Sequence, residues 1–212
     1  MISVLPKVSF VTCTYNRPRY LREAIESLRR QTDPDWEHLI YDDASTDIRV
    51  AETLAWAKEG PRVRVWRGDR NVNQPSKLWN FLLDRVRGRY VSCLDDDNTK
   101  LPEFVARMSA ELEANTALDV VTCGWFVTDS DGVVCSEDHL NLQTSFEGNR
   151  QRSTCDGGST LIRRSAFDRV GYFAEDIRTN EDWDWLRRSV EILGVKNVGE
   201  CLATYRTHSS NR

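Results

Sequence analysis

Three segments within the first hundred residues follow one pattern: a β-branched or aromatic run ends in polar side chains and a helical pattern comes next. Val8-Ser9-Phe10-Val11-Thr12 runs into Tyr15-Asn16-Arg17-Pro18, residues 36–41 run into Asp42-Asp43-Ala44-Ser45-Thr46-Asp47, and residues 89–94 run into Asp95-Asp96-Asp97. Leu21, Ala24, Ile25 and Leu28 recur at three- and four-residue steps, which predicts an amphipathic helix over 19–30. Further helices are expected over 49–58, stopped by Gly60-Pro61, and over 78–87, with Gly88 in the place of a helix C-terminal glycine. A short strand over 63–66 and a polar loop over 68–76 lie between those two helices. Strands separated by helices of this length imply an α/β chain with a mostly parallel sheet of right-handed crossovers. Ligands of such sheets gather beyond the carboxyl ends of the strands, where all three polar clusters fall.

The second half is less regular. A helix with proline in its first turn is expected over 102–114, and a hairpin over 120–128 and 133–135 turns at Asp131-Gly132. Residues 137–152 are polar and aperiodic and are expected to form a mobile loop. A strand over 159–162, helices over 165–170 and 182–193, and a last strand over 199–205 complete the pattern. With no repeat or linker visible, residues 1–212 are taken as one domain.

Composition narrows the classes. Twenty-nine Lys+Arg against 33 Asp+Glu, a net charge of −4, argues against a general nucleic-acid binder. No apolar run reaches the roughly 18 residues that span a bilayer, and residues 1–7 lack a signal-peptide pattern. The expectation is a cytoplasmic chain, peripheral to the membrane at most. Six cysteines without a Cys-x-x-Cys pair read as reduced thiols in or near the core, not as a zinc site.

Three adjacent aspartates raise one another's proton affinity, and a divalent cation relieves the conflict. Oxygen ligands in small number suit Mg2+ or Mn2+ shared with substrate phosphates; the alternative is a solvated acidic turn. Strand alternation would point Asp95 and Asp97 to one side and Asp96 to the other. An aspartate of Asp42-Asp43 either accepts from a base or ribose or caps the following helix. Glu181-Asp182-Trp183-Asp184-Trp185 opens a helix, where acidic residues favour the dipole; a desolvated aspartate there also suits general-base work. Core packing is the expected fate of at least one of the two tryptophans. Arg17 and Lys77 read either as phosphate contacts or as surface charges. Phosphate loops of the Gly-x-Gly-x-x-Gly and Gly-x4-Gly-Lys-Ser/Thr types are absent, as is a Gly-x-Ser-x-Gly elbow.

Together these segments resemble the glycosyltransferases of GT-A fold, and among them the inverting family 2. Thr12-Cys13-Thr14-Tyr15-Asn16-Arg17 is similar to the family's first nucleotide loop, which implies nucleotide contacts at Thr12, Thr14, Tyr15 and Arg17. Asp42-Asp43-Ala44-Ser45-Thr46-Asp47 is similar to the segment whose second aspartate contacts uracil, here Asp43. Leu94-Asp95-Asp96-Asp97 resembles the DxD motif. The likeness implies Asp95 and Asp96 beside the ribose, and Mn2+ or Mg2+ at Asp97 with Asp95 and His208 of the closing Tyr205-Arg206-Thr207-His208. Glu181-Asp182 resembles the acceptor motif, implying Asp182 as catalytic base, with Glu181, Trp183 and Asp156 on the acceptor side. Residues 1–100 would then form the nucleotide half and 101–212 the acceptor half, with a small mixed part on the acceptor side.

Two departures matter. Asn71-Val72-Asn73 and Leu78-Trp79-Asn80 stand where the family often has Asn-x-Gly and Ala-Arg-Asn, which leaves the diphosphate-binding cation open, with Lys77 as the candidate. No Gln/Arg-x-x-Arg-Trp follows Glu181-Asp182, which argues against a processive synthase. The expected activity is metal-dependent transfer from a nucleotide-diphospho-sugar, a UDP-sugar first, to a hydroxyl on a glycan, a lipid-linked or a small acceptor. The rival is a non-catalytic nucleotide-sugar-binding module; a sugar nucleotidyltransferase ranks below both, for want of its Gly-rich loop.

Overall fold

The computed structural model describes residues 5–138 and 157–209. Its strands are β1 (Val8–Thr14), β2 (Trp36–Asp42), β3 (Val63–Arg67), β4 (Tyr90–Cys93), β5 (Val120–Thr128), β6 (Val134–Asp138), β7 (Thr160–Arg163) and β8 (Val195–Arg206). Its helices are α1 (Pro18–Arg29), α2 (Ile48–Ala57), α3 (Pro75–Leu83), α4 (Phe104–Ala114), α5 (Ala166–Val170) and α6 (Glu181–Ser189). The sheet runs β3-β2-β1-β4-β7-β5-β6, and β8 pairs with β5. The first four strands are mutually parallel, whereas β7 runs antiparallel to both β4 and β5, and β6 is antiparallel to β5. The chain thus winds outward from β1 to β3 and then crosses to the other side of β1. That reversal opens a crevice beyond the carboxyl ends of β1 and β4.

Helix periodicity explains the packing. Leu21 and Ile25 of α1 meet Val50, Leu54 and Ala57 of α2 over Ile40. Each such leucine, isoleucine or valine, buried, contributes about 1.5–3 kcal/mol. On the sheet's other face Trp79, Leu82 and Leu83 of α3 pack with Trp185 and Leu186 of α6, and Trp185 is the fully buried tryptophan of its pair.

Several boundaries differ from the sequence reading. Helix α3 begins at Pro75 and ends at Leu83, with proline in its first turn. Gly88 therefore caps no helix. Its amide donates to Ser9 Oγ at 2.8 Å, and a Cβ there would lie 2.6 Å from the Ser9 nitrogen, so the position is glycine because the chain passes against β1. Helix α4 starts at Phe104, two residues after the proline, and α6 stops at Ser189. Strand β8 starts at Val195, ahead of Gly199, whose φ of +75° falls where its register against β5 shifts. The hairpin forms as expected, with Gly132 at φ +85°, but Glu137 and Asp138 belong to β6; the rest of the expected loop lies outside the described residues. Cys93 and Cys123 are buried and Cys13 and Cys201 half-buried, in or near the core as expected, whereas Cys135 is exposed on β6.

His38, in the middle of β2, is fully buried. Thr12 Oγ1 donates to the Leu94 carbonyl at 2.6 Å and lies 2.8 Å from His38 Nε2, so Nε2 carries the ring proton. Nδ1 has no hydrogen-bond partner among the described residues. Burial disfavours the imidazolium and lowers the pKa from 6.5 to about 3. Between those values the unfolded chain binds a proton that the folded ring refuses. Stability present at neutral pH is therefore lost as pH falls through that window, on the order of 5 kcal/mol in total. Urea unfolding at pH 7, 5.5 and 4 should show this slope in the wild type and a flatter one in His38→Asn; equal slopes would refute the assignment.

Candidate active site

A cavity of about 750 Å³ opens at the crevice, lined by the loops after β1, β2 and β4, the start of α3 and the approach to α6. Chain reversals place its side chains. Asn16 and Ala44 adopt φ of 55° and 60°. The Asn16 side-chain oxygen accepts the amides of Thr46 and Asp47 at 2.8 and 2.9 Å, tying the first loop to the second. Tyr15, partly exposed, is left on the cavity wall.

Asp43 is buried and faces the cavity. Its two oxygens accept the amides of Val72 and Asn73, each at 2.9 Å, and so fold the polar loop over the site. It caps no helix, since Asp47 caps α2 by accepting from the Arg49 amide. Each Asp43 oxygen keeps a second acceptor direction for a ligand.

The three aspartates do not alternate. The Asn98 amide donates to the Asp95 carbonyl at 3.2 Å, closing a turn at the end of β4 that brings Asp96 and Asp97 together. Arg17 Nη1 bridges them, 2.9 Å from Asp96 Oδ1 and 2.8 Å from Asp97 Oδ2. Asp96 also accepts from Thr14 Oγ1 at 2.7 Å. Burial, opposed by Arg17 and these hydrogen bonds, raises its pKa to about 6. Asp95 accepts the Asn98 side-chain amide at 3.3 Å. All three aspartates line the cavity.

The chain's last described segment returns to this turn. Arg206, its side chain only 4% exposed, donates from Nε to the Asp97 carbonyl, from Nη1 to the Ser130 carbonyl, and pairs with Glu23. That anchorage seats His208 with Nε2 3.0 Å from Asp97 Oδ2 and its ring 4.9 Å from that of Tyr20. The His208 side chain, 4% exposed, is thus packed against a carboxylate.

On the opposite wall, Asn180 at φ 60° starts α6, and Arg178, Thr179, Asn180 and Glu181 reach the cavity. Asp182 sits just behind them. It accepts the Gly157 amide at Oδ2 and the Trp183 amide at Oδ1, both at 2.8 Å. Burial raises its pKa, and those backbone hydrogen bonds pull it partly back.

The sequence profile of Glycosyl transferase family 2 matches residues 9–171. The chain belongs to that family. This family 2 transferase is 31% identical over 209 residues to the putative glycosyltransferase EpsE of Bacillus subtilis (strain 168), covering 96% of the chain and 74% of EpsE. Its fold is that of the GT-A glycosyltransferases. The crystal structure of S. aureus TarS residues 1–349 in complex with UDP-GlcNAc superposes with a TM-score of 0.79 at 19% identity, over 97% of this chain and 60% of that one. The mannosyltransferase PcManGT of Pyrobaculum calidifontis, solved with GDP-Man and Mn2+, superposes with a TM-score of 0.73 at 15% identity, over 99% of this chain and 59% of that one. The transferase spans only 21% of another relative, the uncharacterized protein y4gI of Sinorhizobium fredii (strain NBRC 101917 / NGR234), which is 30% identical.

In the transferase the cavity gathers Thr14, Tyr15, Arg17, Asp43, Asp95, Asp96, Asp97 and Glu181 of the expected residues. Five others do not line it: Asp182 and His208, placed above, and Thr12, Lys77 and Trp183. Thr12 is fully buried, its hydroxyl committed to Leu94 and His38. Lys77 is exposed in the first turn of α3 and does not line the cavity, because α3 begins three residues earlier than its apolar spacing suggested. Trp183 does not line it either; its ring lies beneath the Arg187 guanidinium at 4.9 Å. Asp156 lies outside the described residues. Residues the sequence reading passed over are Asn73, Gln74, Trp79 and Arg178 on the cavity wall. Asn73 and Trp79, each at a departure from the family pattern, carried a signal; Gln74 and Arg178 carried none. Among the described residues no helix is long and apolar enough to cross a membrane.

Proposed function

We propose that this transferase moves a sugar from a UDP-sugar to a hydroxyl acceptor with inversion at the anomeric carbon, one residue at a time, with the help of a divalent cation. The observation that carries the proposal is the meeting of Asp43, Asp95–Asp97 and Glu181 in one cavity, with Asp182 next in the chain after Glu181 and held by the Gly157 amide. TarS holds UDP-GlcNAc at the same fold, and PcManGT holds GDP-Man with Mn2+, which supports a nucleotide-sugar donor here.

In this reading Asp43 accepts a hydrogen bond from the base, and Tyr15 packs beside it. Arg17 brings positive charge to the place where a diphosphate would lie, and Arg178 offers a second guanidinium at the rim. The donor chemistry fits Mn2+ or Mg2+: an Asp97 oxygen and the His208 imidazole nitrogen lie side by side. Among the described residues no group of three His, Cys, Asp or Glu side chains is placed to hold an ion, so nucleotide oxygens and water would complete the shell. Asp97 and His208 would hold the cation, with Asp95 beside them, and when bound it would offset the negative charge of the departing diphosphate. Asp182, desolvated at the start of α6, accepts the proton of the acceptor hydroxyl as that oxygen attacks the anomeric carbon from the face opposite the leaving group. Glu181 and its neighbours border the acceptor.

Ligand binding to the folded state alone raises the melting temperature. UDP at about 100 times its Kd, with Mn2+, should stabilise by about 2.7 kcal/mol, a rise of roughly 5–10 °C for a chain of this size. GDP at the same concentration should raise it less; no shift with either nucleotide would overturn the donor assignment. Binding alone also suits a non-catalytic module, so release of UDP from UDP-sugars on incubation with the enzyme, alone and with sugar acceptors, is the deciding measurement. Binding without any turnover would favour the module.

A further inference from the structure

Lys100 lies between β4 and α4 and is 3% exposed, an unusual place for an ammonium, whose burial is costly unless it is firmly held. Its backbone is anchored: the amide donates to Ser27 Oγ at 3.1 Å, and the residue bridges to Ala203 of β8. The side chain crosses the ring of Phe104, with Nζ 4.4 Å from the centroid, and donates to the Gly158 carbonyl. Gly158 is the middle of a single 3-10 turn, Gly157–Ser159. The same turn gives the Gly157 amide to Asp182 Oδ2 at 2.8 Å, while Thr160 Oγ1 donates to the Gly157 carbonyl at 2.8 Å. The turn is also tightly enclosed. A Cβ on Gly157 would stand 3.3 Å from Cys93 Cβ and 3.4 Å from Asp182 Cβ. Whatever moves this turn moves the partner of the Asp182 carboxylate.

We propose that Lys100 is a positioning residue for Asp182, its ammonium pinning the Gly157–Ser159 turn so that the Gly157 amide holds the carboxylate in one orientation. A neutral side chain would fill the same space without desolvating a charge; the ammonium's distinctive contribution is a strong, directed grip on a carbonyl. The proposal rests on Asp182 as the base, and the experiment separates the two. Lys100→Met, Lys100→Gln and Asp182→Asn, with the Lys100→Met/Asp182→Asn double variant, are assayed for UDP-sugar turnover, with the donor KM and kcat read separately.

Lys100→Met should lower kcat by about 10²-fold, the cost of a misplaced catalytic group. The donor KM should stay within about twofold, as expected when ground-state binding is spared. Lys100→Gln, which keeps an N–H donor, should recover part of the loss. In the Asp182→Asn background Lys100→Met should cost nothing further, because the group it positions is gone. An unchanged kcat in Lys100→Met, or the same loss repeated in the Asp182→Asn background, would overturn the positioning role while leaving Asp182 in place. Wild-type turnover by Asp182→Asn would remove the base reading and this proposal together. If Lys100→Met does not fold, Gly157→Ala pushes the same turn from its other side. It should then show the same kcat loss with donor KM retained, and an unchanged kcat would refute the proposal.

Discussion

Asp182→Asn should lower turnover by about 10²–10⁴-fold, the usual worth of a general base, while leaving UDP affinity unchanged. Asparagine keeps the shape and accepts one of the two amides, that of Gly157 or of Trp183, on its single oxygen, but its NH2 group accepts neither the other amide nor the acceptor's proton. Donor binding should survive because Asp43 and Asp97 line the cavity and Asp182 does not. Isothermal titration with UDP and Mn2+ measures the affinity, and UDP release from the UDP-sugar with acceptor present measures the turnover. The pH profile offers a further check. Burial raises the Asp182 pKa, so the deprotonated base is lost at a higher pH than an exposed aspartate would allow, and the acid limb of kcat should lie above the ordinary carboxylate range. Glu181 is the control, since it faces the cavity one residue earlier. Wild-type turnover in Asp182→Asn together with its collapse in Glu181→Gln would transfer the role to Glu181.

Asp97→Asn should abolish the effect of Mn2+ on UDP binding and lower turnover by about 10³-fold or more, since a bound cation is worth several kcal/mol to a developing negative charge. The geometry makes the substitution selective. Arg17 still has Asp96, His208 loses only its charged partner, and Arg206 holds the turn through the Asp97 main-chain carbonyl, which is unchanged. The fold should therefore persist, with a cooperative melt in the absence of ligand. His208→Ala should weaken Mn2+ dependence less severely, because a carboxylate is the harder and charged ligand. Titrating Mn2+ against UDP affinity in the three proteins tests both statements. If Asp97→Asn binds UDP with undiminished response to Mn2+, the cation is held elsewhere.

The parallel half of the sheet was legible because buried strands and amphipathic helices announce themselves by period. The run 8–12 is apolar and β-branched, Leu21, Ala24, Ile25 and Leu28 form one stripe, and carboxylates follow β2 and β4. Boundaries slipped where side chains and turns, not periodicity, set them. Pro75 starts α3 ahead of its apolar positions, Gly88 is small because β1 passes beside it, and Gly199 marks a register shift inside β8 instead of its beginning. Thr12 was misplaced for a related reason: a hydroxyl in a nucleotide-loop pattern looks the same in sequence whether it faces a cavity or, as here, closes the β1–β4 seam through Leu94.

From sequence alone came the alternating α/β order, the placing of acidic side chains at the ends of parallel strands, and the family that those motifs resemble. These are local properties, carried by the spacing of residues along one stretch of chain. Convergence was decided only in three dimensions. The turn at 95–98 swings Asp96 and Asp97 onto the same guanidinium, Arg206 draws His208 from far along the chain onto Asp97, and Lys100 reaches the turn that touches Asp182. Each depends on contacts between segments 58 to 111 residues apart, or on a turn that overrides strand alternation. Periodicity along the chain carries no information about such pairs, because packing of the whole sheet and its helices sets which loops become neighbours.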